Sequence, residues 1–267
     1  MRRALRLIPL ALVVVMSSLA SLSRNVAPGR LDPALAWCAP SWPRPLGCGE
    51  AGVDLMAVLS RAELSGVLLA VLVALSGFAL GTPLGALAGL SRGAWERSVA
   101  RACDLIQAFP TFLFALVVLS AVRSPGRLEL GLVFATTAWA PFARLALVET
   151  RVLRDAAFVE AARALGLGPA RVLARHVIPN LLGVVAVQLG STGAAIVVAE
   201  AAFAFLGLGP RDGISLGSVL DQGVAAMLRA PHVLWAGSIC VFVTSVSMLL
   251  AGSAAQGTHL AARRLGD

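Results

Sequence analysis

The residues that invite a chemical reading lie between Glu160 and Pro179, in the stretch EAARALGLGPARVLARHVIP. Five arginines fall between Arg151 and Arg175, and two glycines and two prolines punctuate the run. No nucleophile stands beside a base and no phosphate-binding loop is visible, so the chemistry on offer is docking rather than bond making. From Arg151 to Ala164, Val152, Ala156, Val159 and Ala162 recur at helical spacing. Arg151 and Asp155 sit at i,i+4 and Glu160 and Arg163 at i,i+3, so the charged faces can partly pair with themselves. Ala161 and Ala162 have almost no bulk and let another helix or a protein surface come close. Gly166 and Gly168 supply a turn that tolerates positive φ. Pro169 suits the start of a second helix carrying Arg171, Arg175 and His176. Pro179, after Ile178, is expected to end that helix and re-aim the chain. The blander reading is a solvated amphipathic hairpin whose arginines only hold topology.

Elsewhere the candidates are few. Glu200 lies near the end of an apolar run, where an acid faces protein or a water-filled route, and is a candidate pathway or gate residue. Cys38 and Cys48 stand ten positions apart in a Pro-rich loop and are either bridged or two free thiols. Cys103 and Cys240 fall in or beside apolar runs and read as packing residues. His176, His232 and His259 are scattered and no Cys/His spacing suits zinc, so no metal site is expected. The chain has no lysine, and therefore no Walker A loop.

The elements that must position these residues are apolar. Hydrophobic residues make up 58% of the 267-residue chain and charged residues 13%, with a mean hydropathy of +0.85, a membrane composition. Charge-poor runs of roughly 20 residues, enough to cross about 30 Å of hydrocarbon, fall near Leu7–Leu22, Leu64–Leu90, Leu105–Val122, Leu130–Val148, Leu181–Leu206 and His232–Ala254. Arg144 lies inside the fourth and is expected to snorkel. The first is short, and with Arg2, Arg3 and Arg6 before it reads as an anchor or as a cleaved signal. Six spans put both termini on one side with the Glu160 loop. Fourteen of the 22 arginines fall on that side and eight on the other, which makes the first side cytoplasmic. The net charge of +8 is thus spent on topology, and no nucleic-acid partner is expected.

The order of residues in the charged stretch resembles the EAA loop of permease subunits of binding-protein-dependent ABC importers. It is similar above all to the dipeptide, oligopeptide and nickel branch, where this stretch runs VEAARALG and then RHILPN. Here it stands as Val159-Glu160-Ala161-Ala162-Arg163-Ala164-Leu165-Gly166, then Arg175-His176-Val177-Ile178-Pro179-Asn180. The likeness extends from about Pro45 to Leu250. Pro83-Leu84-Gly85 with Ala88-Gly89 resembles VPLGLLAG, and Asp104-Leu105 with Ala108-Phe109-Pro110 resembles DLLLAFP. Ala199-Glu200-Ala201 with Phe205-Leu206-Gly207-Leu208-Gly209 resembles AEASLSFLGLG. Each also has a plain reading: Pro83 and Pro110 as kinks, the glycines as close helix contacts, Asp104 as a helix cap. Departures fall on the outer face. The family's HPLGTDELGRD is here Arg44-Pro45-Leu46-Gly47-Cys48-Gly49-Glu50-Ala51-Gly52-Val53-Asp54, with Gly49 and Val53 replacing an acidic and a basic position. Its WGxML is Leu216-Gly217-Ser218-Val219-Leu220, without the Trp, and the LRDxLDPR-like ending is absent.

The resemblance implies an all-α integral membrane protein with six transmembrane helices, the type I importer permease fold and a cytoplasmic coupling helix pair. Residues 1–62 would be an anchor helix and outer loop, 63–258 the permease domain with its EAA loop at about 149–180, and 259–267 a cytoplasmic tail. It further implies ATPase coupling through Glu160, Ala161, Ala162, Gly166, Arg171, Arg175, His176 and Pro179. Two separate ATPase subunits would bind the ATP and Mg, leaving this chain without a cofactor or an enzymatic activity of its own. A sister permease, usually a different chain, and an extracytoplasmic solute-binding protein complete the set in a bacterial cell membrane. Di- and oligopeptides are the first expectation for cargo. Nickel, glutathione or another small solute is the alternative, as is an ATPase-docking anchor that moves nothing.

Overall fold

A computed structural model describes residues 4–23, 32–122, 125–209 and 214–264, with side chains for all of these but 4–5 and 255–264. Arg2, Arg3, Arg24, Arg30, Arg123 and Arg211 of the charge bias lie outside the described residues, as do the side chains of His259, Arg263 and Arg264. The described residues form helices α1 Ala4–Ser23, α2 Leu55–Leu90, α3 Ala94–Ala108, α4 Thr111–Ala121, α5 Arg127–Arg154, α6 Ala157–Ala164, α7 Pro169–Val172, α8 Ile178–Phe205, α9 Leu216–Ala225 and α10 Pro231–Arg264. Five helices are long and apolar enough to cross a membrane, and six if α3 and α4, bent by 70°, count as one span.

Three helices, α2, α5 and α9, start where a side chain satisfies a free N–H group. Asp54 Oδ1 accepts from Met56 N at 3.0 Å to open α2. Glu129 Oε2 accepts from Gly126 N at 2.9 Å at the head of α5, and Ser215 and Ser218 cap α9 reciprocally. α2 is the organising element. Its 36 residues reach about 54 Å at 1.5 Å per residue, so its two ends lie at opposite faces of the bundle.

The α2–α5 seam is the most extensive interface, and a row of small residues creates it. Gly77, Gly81, Gly85 and Gly89 repeat every four positions and so share one face of α2. A Cβ at Gly77 would stand 2.7 Å from the Ala138 carbonyl; at Gly81 and Gly85 it would come closer still to the Trp139 and Ala143 carbonyls. The backbones touch because no side chain intervenes, the usual route to tight packing among apolar helices. α8 and α10 do the same through Gly190 and Gly252. The central core joins Val73, Leu119, Phe134 and Phe203, with Phe112 stacked on Phe203 at 4.5 Å between ring centroids.

Several boundaries differ from those expected. The span Leu105–Val122 is not one helix: Pro110, which lacks an N–H, breaks it into α3 and α4. Arg144 does not simply snorkel, because Asp104 on α3 meets it at 3.3 Å; Asp104, late in α3, is a pairing residue and not a helix cap. α9 is too short to register as a span, and the α10 backbone runs on through Arg264 into the segment expected as tail.

Candidate functional site

At the end of the bundle where α2 finishes, the Glu160–Pro179 stretch forms a hairpin, built from α6, a four-residue turn and α7. α6 does not continue α5. The chain breaks at Asp155–Ala156, with Ala156 N donating to Leu153 O at 3.1 Å. The turn after α6 is a Schellman cap: Leu167 N donates to Ala162 O at 3.1 Å and Gly166 N to Arg163 O at 2.9 Å. Gly166 sits at φ +81°, the left-handed region where a side chain strains the backbone. A Cβ there would meet no atom within 4 Å, so the demand for glycine is purely conformational.

The hairpin has two faces. Val159, Ala162, Val172, Leu173 and Val177 are buried against Phe142, Ala146 and Leu153 of α5 and Leu181 of α8. Glu160, Ala161, Arg163, Gly166, Arg171, Arg175 and Pro179 are exposed, and His176 is half-buried near the Phe158 ring. Leu165, at the tip, is 81% exposed. Ala161 and Ala162, adjacent in sequence, therefore separate: Ala162 seats the hairpin on its own bundle and only Ala161 faces outward. The expected self-pairing also changes. Arg151 binds Glu96, and Asp155 meets Arg92 at 2.7 Å. Glu160 and Arg163 form no ion pair with each other among the described residues.

Pro179 does not end the second helix. The segment Leu173–Val177 is a π-turn that runs straight into α8. The wider i→i+5 register absorbs the N–H that Pro179 lacks, and Asn180 Nδ2 donates to the His176 carbonyl at 2.6 Å. The hairpin and the fifth apolar run are thus one continuous helical path.

A groove of about 980 Å³ runs between α3, α4, α5, α8 and α10. Its polar lining is uncharged: Gln107, Thr111, Thr137, Gln188, Ser191, Thr192 and Ser245. Gln107, Thr137 and Ser245 donate to carbonyls of their own helices and Gln188 donates to Thr192, which lowers the cost of these polar groups among apolar helices and leaves their remaining capacity for water or a solute. Glu200 lies off this lining. It is 4% exposed, its Oε1 stands 3.9 Å from Arg127 Nε, and its Oε2 would lie 2.9 Å from a Cβ at Gly66. Arg127 also donates from Nη2 to the Ile214 carbonyl at 3.1 Å. Glu200 thus stands where α2, α5 and α8 meet, facing Arg127 without a direct hydrogen bond between Oε1 and Nε.

A second buried acid escaped the sequence reading. Glu63 accepts from Ser17 of α1 and from Thr244 Oγ1 of α10, the latter at 2.5 Å. The signal was there: an acid following Leu55, Leu59 and Ala62 on a helix that starts earlier than expected.

At the opposite end of α2, Cys38 and Cys48 form a disulfide with S–S 2.05 Å. Cys48 N donates to Cys38 O at 3.0 Å and Leu55 N to Gly47 O at 3.0 Å, so the stapled loop leads directly into α2. Trp37 and Leu46 pack on Leu55, Leu216 and Val233, while Trp42 at the loop tip is exposed.

The sequence is similar to those of known transport proteins. Residues 81–256 match the family described as binding-protein-dependent transport system inner membrane component. The chain is 31% identical over 211 residues to a glutathione transport system permease protein GsiD of Pectobacterium atrosepticum, covering 78% of this chain and 69% of that one. A GsiD of Shigella dysenteriae serotype 1 is 31% identical over 215 residues, covering 80% and 70%. The oligopeptide transport system permease protein OppC of Mycobacterium bovis is 31% identical over 202 residues, covering 74% and 69%. All three are transport subunits and not enzymes. With the family model spanning about two thirds of the sequence, this chain belongs to the binding-protein-dependent transport system inner membrane components, the multi-pass permease subunits of ABC importers.

Proposed function

We propose that this permease pairs with a second, different permease chain over two ATPase subunits and passes peptides, from glutathione-sized to short oligopeptides, by alternating access. The hairpin end and both termini face the cytoplasm of a bacterial cell, in keeping with the arginine bias; the disulfide end faces the solute-binding protein. ATP and Mg are held by the ATPases, and no cofactor is held by this chain. The observation that carries the reading is the hairpin's division into a buried seat and an exposed, Arg-flanked tip at Leu165, a shape made for insertion into a partner. Glu160, Ala161, Arg171 and Arg175 would meet the ATPase, and Gly166 would set the angle at which they do. Glu200 would act on the path from behind, by holding α2 and α5 together with α8. The uncharged amides and hydroxyls of the groove match the backbone groups of a peptide, and the named activities of GsiD and OppC relatives point the same way.

The test is ATP-driven uptake into vesicles carrying the complete importer, with labelled glutathione, labelled tripeptides and nickel ion offered separately. Peptide uptake that depends on ATP and on the binding protein is the expected result. Uptake of nickel alone, or of nothing by a complex that hydrolyses ATP, would contradict the cargo assignment.

A further inference from the structure

Charged side chains join two turns that are far apart in sequence. Glu96 stands in the first turn of α3, where the free N–H groups favour an acid. It is only 12% exposed, accepts from Arg151 Nε and faces Arg154 Nη1 at 3.4 Å. Arg154 Nη1 also reaches the carbonyls of Gly89 at 3.2 Å and Ser91 at 3.1 Å, which end α2. Asp155 then meets Arg154 Nε at 3.6 Å and Arg92 Nη2 at 2.7 Å. The last turn of α5, from which the hairpin hangs, is tied in this way to the α2–α3 turn. Apolar packing brings the same elements together, with Ala86 and Leu90 of α2 in the cluster that holds Leu153, Val159 and Val172; beside it a cavity of about 540 Å³ lined by Leu87, Trp95, Arg163 and Leu167 leaves the rim to the ion pairs. The hairpin's other root, into α8, is the π-turn Leu173–Val177, a local weakness of the kind at which helices bend.

Given the coupling reading above, on which this rests, we propose that Glu96, Arg151, Arg154, Asp155 and Arg92 form a strut. The strut makes the hairpin, the end of α5 and the α2–α3 turn one moving body, with its hinge at the π-turn of α8. Displacement of the hairpin then reaches α3, which lines the groove through Ile106 and Gln107. Glu96 is the central positioning residue, because one carboxylate holds both arginines. Glu96 and Arg154 are the shielded members of the strut, while the Arg92–Asp155 pair is exposed and adds little by itself.

The experiment uses the assembled importer with Cys103 and Cys240 replaced by alanine and Gln107→Cys as a reporter in the groove. Its rate of thiol labelling is compared between nucleotide-free and ATP–vanadate-trapped complexes, a readout that needs no cargo. At least a threefold difference is expected in the parent complex. Arg92→Cys and Asp155→Cys, joined by a short bis-methanethiosulfonate in a complex that carries an environment-sensitive fluorescent amino acid at position 107 in place of the thiol reporter, should preserve the nucleotide-dependent difference, since the strut already moves as one. Glu96→Gln should leave the ATPase bound but shrink the difference to less than half, and Glu96→Asp should restore most of it. A crosslink that abolishes the difference, with recovery on reduction, means the two turns slide past each other and overturns the strut. So does a full difference in Glu96→Gln. A transporting complex in which Gln107→Cys labelling ignores nucleotide overturns the strut and leaves the coupling reading standing; absence of any ATP-driven uptake would take down both.

Discussion

At one end of the bundle the loop from Asp32 to Asp54 is fastened covalently, through Cys38–Cys48, and its backbone bonds close it onto the head of α2. At the other end the α6–α7 hairpin is held by a glycine cap, an apolar seat and ion pairs. The first fastening has one geometry and suits a platform on which a binding protein lands. The second consists of contacts that can shift together, and one of its roots is a π-turn. On the orientation proposed above, a disulfide is available only at the outer end, where the compartment is oxidising. The inner end has to obtain its definition from backbone geometry and charge. On that orientation, rigidity lies where cargo would arrive, and adjustable rigidity where force would enter.

Both ends hang on the α2–α5 seam, so the seam is where the largest loss is expected. In Gly85→Val, side-chain atoms would lie inside the Ala143 carbonyl, and overpacking costs about 1–3 kcal/mol even where the neighbours can give. Backbone cannot give, so membrane abundance should fall severalfold by immunoblot and both ends should fail together. Normal abundance would mean that the two ends do not share this support.

Gly166→Val separates the ends. Its cost is backbone strain of about 1–3 kcal/mol, with nothing for the new side chain to strike. Insertion should be normal, while co-purification of the ATPase falls about tenfold per 1.4 kcal/mol and uptake is lost. Resistance of the Cys38–Cys48 loop to proteinase K should not change.

Replacing both Cys38 and Cys48 with serine is the mirror experiment. Opening a loop of this size removes about 2–3 kcal/mol of local constraint. The outer loop should become protease-sensitive and the response of ATP hydrolysis to the binding protein should weaken several-fold, with ATPase association untouched. Weakened ATPase association would show that the two ends are not independent.

The smallest effect is expected at Glu200, which touches neither end directly. Glu200→Gln keeps its size and loses its charge toward Arg127. We expect uptake to fall two- to fivefold with assembly intact. Loss of assembly instead would make Glu200 a purely structural partner, and unchanged uptake would remove it from the path altogether.

What could be read in the sequence follows the same division. The hairpin was legible because Gly166, Pro169 and the arginines punctuate an otherwise apolar chain, and local signals decide a cap and a turn. The spans were legible from hydropathy, but not the break at Pro110, since proline kinks some apolar helices and severs others. The partners of Glu96 could not be read, because Arg151 and Arg154 are more than 50 positions away and only the α2–α5 seam brings them together. The same holds for Glu63, whose partners sit on α1 and α10. Pro179 misled for a different reason: its missing N–H is absorbed by the π-turn, a solution that no local propensity announces.

The central claim, that the hairpin tip enters an ATPase subunit, is tested most directly by a photo-crosslinking residue at position 165 in otherwise intact importer. The Leu165 side chain is exposed at the tip of the hairpin. The account predicts one dominant adduct with the ATPase, in yield that changes between nucleotide-free and ATP–vanadate-trapped complexes and is lost in Gly166→Val. Adducts only with lipid or with the solute-binding protein would contradict it.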